Sequence, residues 1–198
     1  MRRLTTIVML VALASSALAL ASAALAHAAD PAPAVEQIGD IQTVSQGEAE
    51  GKPTGLSDVI GRMHPALVHF PIAWLVGLAL IDFVGLILKR EEWRRAGIFV
   101  LGGTVLSLLP TAATGLLRAA HMPADPAVHA LLVTHRALNF AVAGLVLAAF
   151  ALRLLRRNRL QGPSRVAYLA LVFAATALVL VAADFGGRMV YGPNYLPW

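Results

Sequence analysis

Cysteine is absent from all 198 residues. Its absence excludes disulfides, thiolate metal sites, iron–sulfur clusters and attachment of a c-type haem through C-x-x-C-H. Any cofactor must be held by nitrogen, oxygen or methionine sulfur. Charge is also scarce: Asp, Glu, Lys and Arg make up 14% of the chain, where a globular protein carries roughly a quarter. Between residues 61 and 198 serine occurs only as Ser107, at lipid depth, and Ser164, on the side away from the histidines. A serine nucleophile with a histidine base is therefore unsupported, and no Gly-rich phosphate loop follows a strand. Paired interrupted helices in repeated halves, the mark of a transporter, are lacking too.

What is abundant is apolar sequence. The chain is 58% hydrophobic, with a mean hydropathy of +0.71. A formal charge of +5 and a pI near 10.4 do not point to nucleic acid. The basic residues sit in short clusters beside long apolar runs, where they set membrane topology.

Residues 1–28 read as a cleavable signal peptide. Arg2 and Arg3 form its charged start, an apolar core follows, and Ala26-His27-Ala28 resembles an A-x-A cleavage site. An uncleaved first membrane helix is the alternative. Residues 29–60 are polar and contain Pro31, Pro33 and Pro53, which reads as a disordered extracytoplasmic leader. Residues 61–198 form the membrane domain.

That domain is expected to be an all-α integral membrane bundle of four transmembrane helices, over about 65–88, 96–117, 138–155 and 166–183. Lys89, Arg90, Arg94 and Arg95 follow the first span, and Arg153, Arg156, Arg157, Arg159 and Arg165 follow the third. These are nine of the 16 basic residues. The positive-inside rule makes their side the cytoplasm. The expected place is a bacterial inner membrane, with both termini extracytoplasmic after signal cleavage. Asp125-Pro126 should cap a third helix that begins above its span and runs from 126 to about 157. Gly186-Gly187 should cap the fourth.

His64, His69, His121, His129 and His135 all map to the extracytoplasmic side. His69 sits about one turn into the first helix, with Ala73 and Gly77 below it. Pro71 leaves the Leu67 carbonyl without its helical partner. His135 has a matching depth on the third helix, with Asn139 one turn below. Two neutral imidazoles at that depth suit the axial pair of a b-type haem, with His64 in support or as an alternative ligand. Asp184 and Arg188, four apart on the fourth helix, suit a local pair or a propionate. The same nitrogens also suit copper or zinc, through His64, His69 and His129 or His135, with Met63 or Met122. Histidines that only tie helices together remain equally open. Asp82 lies deep on the inner half of the first helix, and pairing with Arg153 is expected. Gly103, Ser107, Thr111 and Gly115 form a small-residue stripe for close helix packing, with a homodimer as one use.

The stretch His64-Pro65-Ala66-Leu67-Val68-His69-Phe70-Pro71-Ile72-Ala73 resembles the opening motif of a bacterial membrane family known as domain of unknown function 2231. Gly186-Gly187-Arg188-Met189-Val190-Tyr191-Gly192 looks like its closing motif, and His135 to Asn139 suits its third helix. The resemblance covers about residues 60–195. It implies a four-helix membrane domain without assigned chemistry. Relatives joined to or encoded with cytochrome-like modules imply redox work and a periplasmic redox partner. Three functions follow: a haem-binding electron-transfer subunit rather than a stand-alone enzyme, a copper- or zinc-handling protein, and a cofactor-free scaffold or assembly subunit.

Overall fold

A computed structural model describes residues 53–122 and 125–192. The proposed signal peptide, most of the leader and the tail beyond Gly192 lie outside them. The described chain is helical: α1 (Leu56–Arg62), α2 (His64–Leu67), α3 (His69–Ile87), α4 (Glu91–Ala120), α5 (Pro126–Leu155) and α6 (Pro163–Tyr191). Met63 and Val68, which separate the first three, both keep right-handed helical angles. The three segments therefore join into one span, Leu56–Ile87, and all four resulting helices are long and apolar enough to cross a membrane.

The bounds expected from sequence hold for the third helix and shift for the others. Asp125 caps α5 by accepting from the amides of Ala127 at 2.8 Å and Val128 at 3.4 Å. Helix begins already at Leu56, inside the stretch assigned to a disordered leader. There Asp58 pairs with Arg62 one turn on at 3.0 Å and accepts from the Thr54 amide at 3.1 Å, which secures the first turn. The fourth helix does not stop at Gly186-Gly187; it continues to Tyr191 and ends at Gly192, whose φ of 89° suits glycine. Gly186 serves packing instead. A Cβ there would lie 3.1 Å from His135 Cε1.

The four spans pack as a ring: first against second and fourth, third against second and fourth. Leu75, Leu78, Leu101, Val146, Val172 and Ala175 fill the centre. Outward-facing positions are equally apolar, with Phe99 81% and Leu109 72% exposed. A surface of that kind is stable against lipid and not against water.

The small-residue stripe on α4 is spent within the chain. Trp74 packs on Gly103 with ring carbons 3.4 Å from where a Cβ would stand, and His64 packs on Gly115. The Thr111 hydroxyl donates to Leu67 O at 3.4 Å, so the carbonyl that Pro71 deprives of a partner is satisfied by the neighbouring helix. Ser107 donates to Thr104 O on its own helix at 2.7 Å. Helix α4 runs through Pro110 without interruption.

At the end that carries the basic loops a buried polar cluster joins the helices. Arg153 donates to Asp82 at 2.8 Å and to Asn158 Oδ1 at 2.8 Å, and Tyr168 donates its hydroxyl to Asp82 at 2.6 Å. The guanidinium also lies over the Tyr168 ring, 4.3 Å from its centroid. The second helix joins through Gly97, where a Cβ would stand 2.8 Å from Arg153 Nη2. The expected Asp82–Arg153 pair is present, with Tyr168 and Asn158 completing it.

Candidate functional site

The end of the bundle away from the basic loops holds the histidines. His64, at the start of α2, reaches across to α4, where Nδ1 lies 3.1 Å from Thr111 O and 3.3 Å from Thr114 Oγ1. The Thr111 carbonyl can only accept, and Thr114 gives its own hydrogen to Pro110 O at 2.8 Å. Nδ1 must therefore carry the proton, and Nε2 keeps a lone pair. Gly115 makes this approach feasible, since a Cβ there would lie 2.8 Å from His64 Cε1.

His135 repeats the arrangement between the third and fourth helices. Its Nδ1 lies 2.8 Å from Ala182 O, again an acceptor only. Its Nε2 accepts from the Asn139 amide at 3.2 Å, and the same amide nitrogen donates to His135 O at 2.8 Å. Both rings are part-buried, and both are fixed in the tautomer that leaves Nε2 unprotonated. His64, between the first and second helices, and His135, between the third and fourth, are the two imidazoles at this end that a neighbouring helix holds.

His69 is placed differently from the expectation of an axial pair with His135. Its ring is exposed, with Nδ1 3.3 Å from Ala66 O on its own helix. It heads an apolar groove of about 500 Å³ lined by Phe70, Ala73, Trp74, Gly77 and Val100. The five-residue step from His64 to His69 explains the difference: at 3.6 residues per turn it turns the two rings to different faces. His129 is exposed on the first turns of α5. His121 closes the end of α4 through Leu117 O at 2.8 Å, and its Nε2 lies 3.4 Å from Ser57 Oγ. Among the described residues no three His, Asp or Glu side chains gather as ligands for one metal ion. The quartet His64, His69, His129 and His135 is therefore spread out, and Met63 is exposed. Arg188 pairs with Asp184 at 2.8 Å, as the four-residue spacing suggests.

A model of predicted membrane proteins, DUF2231, matches residues 62–194. The chain belongs to this family. The matched stretch opens two residues before His64 and takes in all of α5 and α6, so both members of the histidine pair fall inside the DUF2231 domain. Comparison with curated proteins and with solved structures gives no match.

Sequence reasoning named the histidines and Asn139 but missed what holds them. Thr114 and the Ala182 carbonyl had no distinguishing signal. The glycines did: Gly115 and Gly186 had been read as a packing stripe and a helix end, whereas each marks where an imidazole meets a neighbouring helix.

Proposed function

We propose that this DUF2231 protein is a multi-pass inner-membrane subunit whose extracytoplasmic end binds a b-type haem through His64 and His135. Electrons would pass to a periplasmic redox partner. One observation carries the reading: each Nδ1–H is held by a backbone carbonyl of the neighbouring helix, which leaves both Nε2 atoms as oriented lone pairs. That is the form in which imidazole ligates iron. Asn139 does not oppose it, because its amide can release His135 Nε2 and keep the shorter bond to His135 O. Arg188, its side chain 44% exposed, stands at the same end for a propionate. Bound haem supplies one-electron transfer, while the protein supplies the ligands and the apolar surroundings. The orientation rests on the basic loops Lys89–Arg90 and Arg156–Arg159, both on the side away from the histidines.

The test is an absorption spectrum of detergent-purified protein from a haem-competent host, oxidised and then dithionite-reduced, with metal analysis of the same sample. A Soret band that shifts on reduction, with sharp α and β bands, is expected. His64→Ala and His135→Ala should abolish it, and His69→Ala should not. A cofactor-free scaffold is the second reading, favoured by the same bonds, which tie the first helix to the second and the third to the fourth. A featureless spectrum from folded protein would favour it, and near-stoichiometric copper or zinc would instead favour metal handling.

A further inference from the structure

His69 and the groove beneath it are not used by the histidine pair. The groove lies between the first and second helices, with Phe70 and Trp74 on its walls and Ala73 and Gly77 forming its floor. Phe70 is 58% and Trp74 44% exposed. The Trp74 indole packs on Gly103, with ring carbons 3.4 Å from the ideal Cβ position, so the ring is braced by the second helix. Gly77 has nothing within 4 Å of its Cβ position, so that stretch of the floor is open.

We propose that this groove binds an isoprenoid quinol, with a ring hydroxyl donating to His69 Nε2 and the ring and proximal tail lying along Trp74, Ala73 and Gly77. Depth, shape and polarity each support this occupant. His69 opens α3 and lies on the exposed surface of a membrane-spanning helix, so a ligand reaches it laterally from the lipid on the side of the histidines. A groove of about 500 Å³ lies in the range of small-molecule sites, which are mostly apolar with a few placed polar groups. A planar ring matches a braced indole wall, since aromatic pairs favour offset stacking. The polar end is selective as well. Ala66 O accepts from Nδ1 at 3.3 Å, which leaves Nε2 as an acceptor. The matching head group must carry an O–H. A phospholipid acyl chain would fill the groove and leave that nitrogen unused, and a quinone offers only acceptors.

Binding does not depend on haem at His64 and His135, although a quinol there would supply the electrons that reading requires. The full-length protein, in nanodiscs of defined phosphatidylcholine, is titrated with a decyl-tailed ubiquinol under anaerobic reducing conditions, following Trp74 fluorescence with Trp74→Phe as the blank. Saturable quenching is expected, with the oxidised quinone binding at least about tenfold more weakly, the worth of one well-placed hydrogen bond. His69→Ala should weaken quinol binding by a similar factor and level the two redox forms. Gly77→Leu, which meets open space, should abolish binding without lowering the thermal midpoint. The proposal is overturned if quenching rises linearly, as for partition into lipid, if His69→Ala and Gly77→Leu bind as the wild type does, or if quinone and quinol bind alike. The haem spectrum of the same samples reports on the other site, so either reading can fail alone.

Discussion

Tyr168 and Asp82, 86 residues apart in sequence, share a buried 2.6 Å hydrogen bond at the end of the bundle that carries the basic loops. The bond completes the coordination of an ion pair, Asp82–Arg153, in which both side chains are only 2% exposed. Removing one charge from such a pair strands the other, at a cost of about 3–5 kcal/mol, whereas replacing both with apolar groups of similar volume is often neutral. Asp82→Ala should therefore lower the thermal midpoint in detergent sharply, and Asp82→Leu with Arg153→Met should recover most of the loss. Tyr168→Phe removes one bond and keeps the ring under the guanidinium, so a loss of about 1 kcal/mol is expected. A double variant no more stable than Asp82→Ala would show that the charges themselves, rather than their pairing, hold this end.

The glycines beside the imidazoles give a second prediction. A Cβ at Gly115 would stand 2.8 Å from His64, and at Gly186 3.1 Å from His135, while at Gly102 it meets nothing within 4 Å. Gly102→Ala should be neutral or stabilise by about 0.4–1 kcal/mol, as glycine-to-alanine does where backbone and space permit. Gly115→Ala should instead cost about 1–3 kcal/mol, the range for overpacking, with Gly186→Ala milder. Thermal unfolding of the three variants side by side checks the order. Equal effects would mean that the imidazoles move aside freely.

The architecture was legible because membrane solvent leaves little choice: apolar runs near twenty residues, bounded by charged clusters, define the spans. The Asp125 cap was legible for the same reason, since its signal is local. What failed was non-local. Gly186-Gly187 reads as a helix stop until one sees His135 resting on Gly186. His69 and His135 share a depth, and depth suggested a pair, but rotation about the helix axis decides which ring turns inward. That rotation is set by how the first span packs on the second and fourth helices. Asp82 and Arg153 were found because a buried charge in lipid demands an opposite one at the same depth. Tyr168 makes no such demand and stayed hidden.

The Asp125 cap is itself testable. Its carboxylate accepts from Ala127 N at 2.8 Å at an exposed helix start, where substitution by alanine typically costs about 1 kcal/mol. Asp125→Asn should retain most of the stability and Asp125→Ala should lose it. Hydrogen exchange at residues 127–130 is the sensitive readout, because fraying would be confined to the first turn. Protection unchanged in Asp125→Ala would mean that packing of α5 on α6, not the cap, fixes where the helix begins.

Topology offers the last prediction, and the absence of cysteine makes it clean. Ala130 and Arg159 are both exposed, at opposite ends of the third span. By the positive-inside rule the basic loops predict Arg159 in the cytoplasm and Ala130 outside. In intact spheroplasts a membrane-impermeant maleimide should label Ala130→Cys and spare Arg159→Cys, and permeabilisation should make the two equal. The substitution at 159 leaves Arg153, Arg156, Arg157 and Arg165 in the same region, so the charge bias that sets orientation survives. The reverse pattern would place the histidine pair and the His69 groove in the cytoplasmic half, and a periplasmic redox partner would then be out of reach.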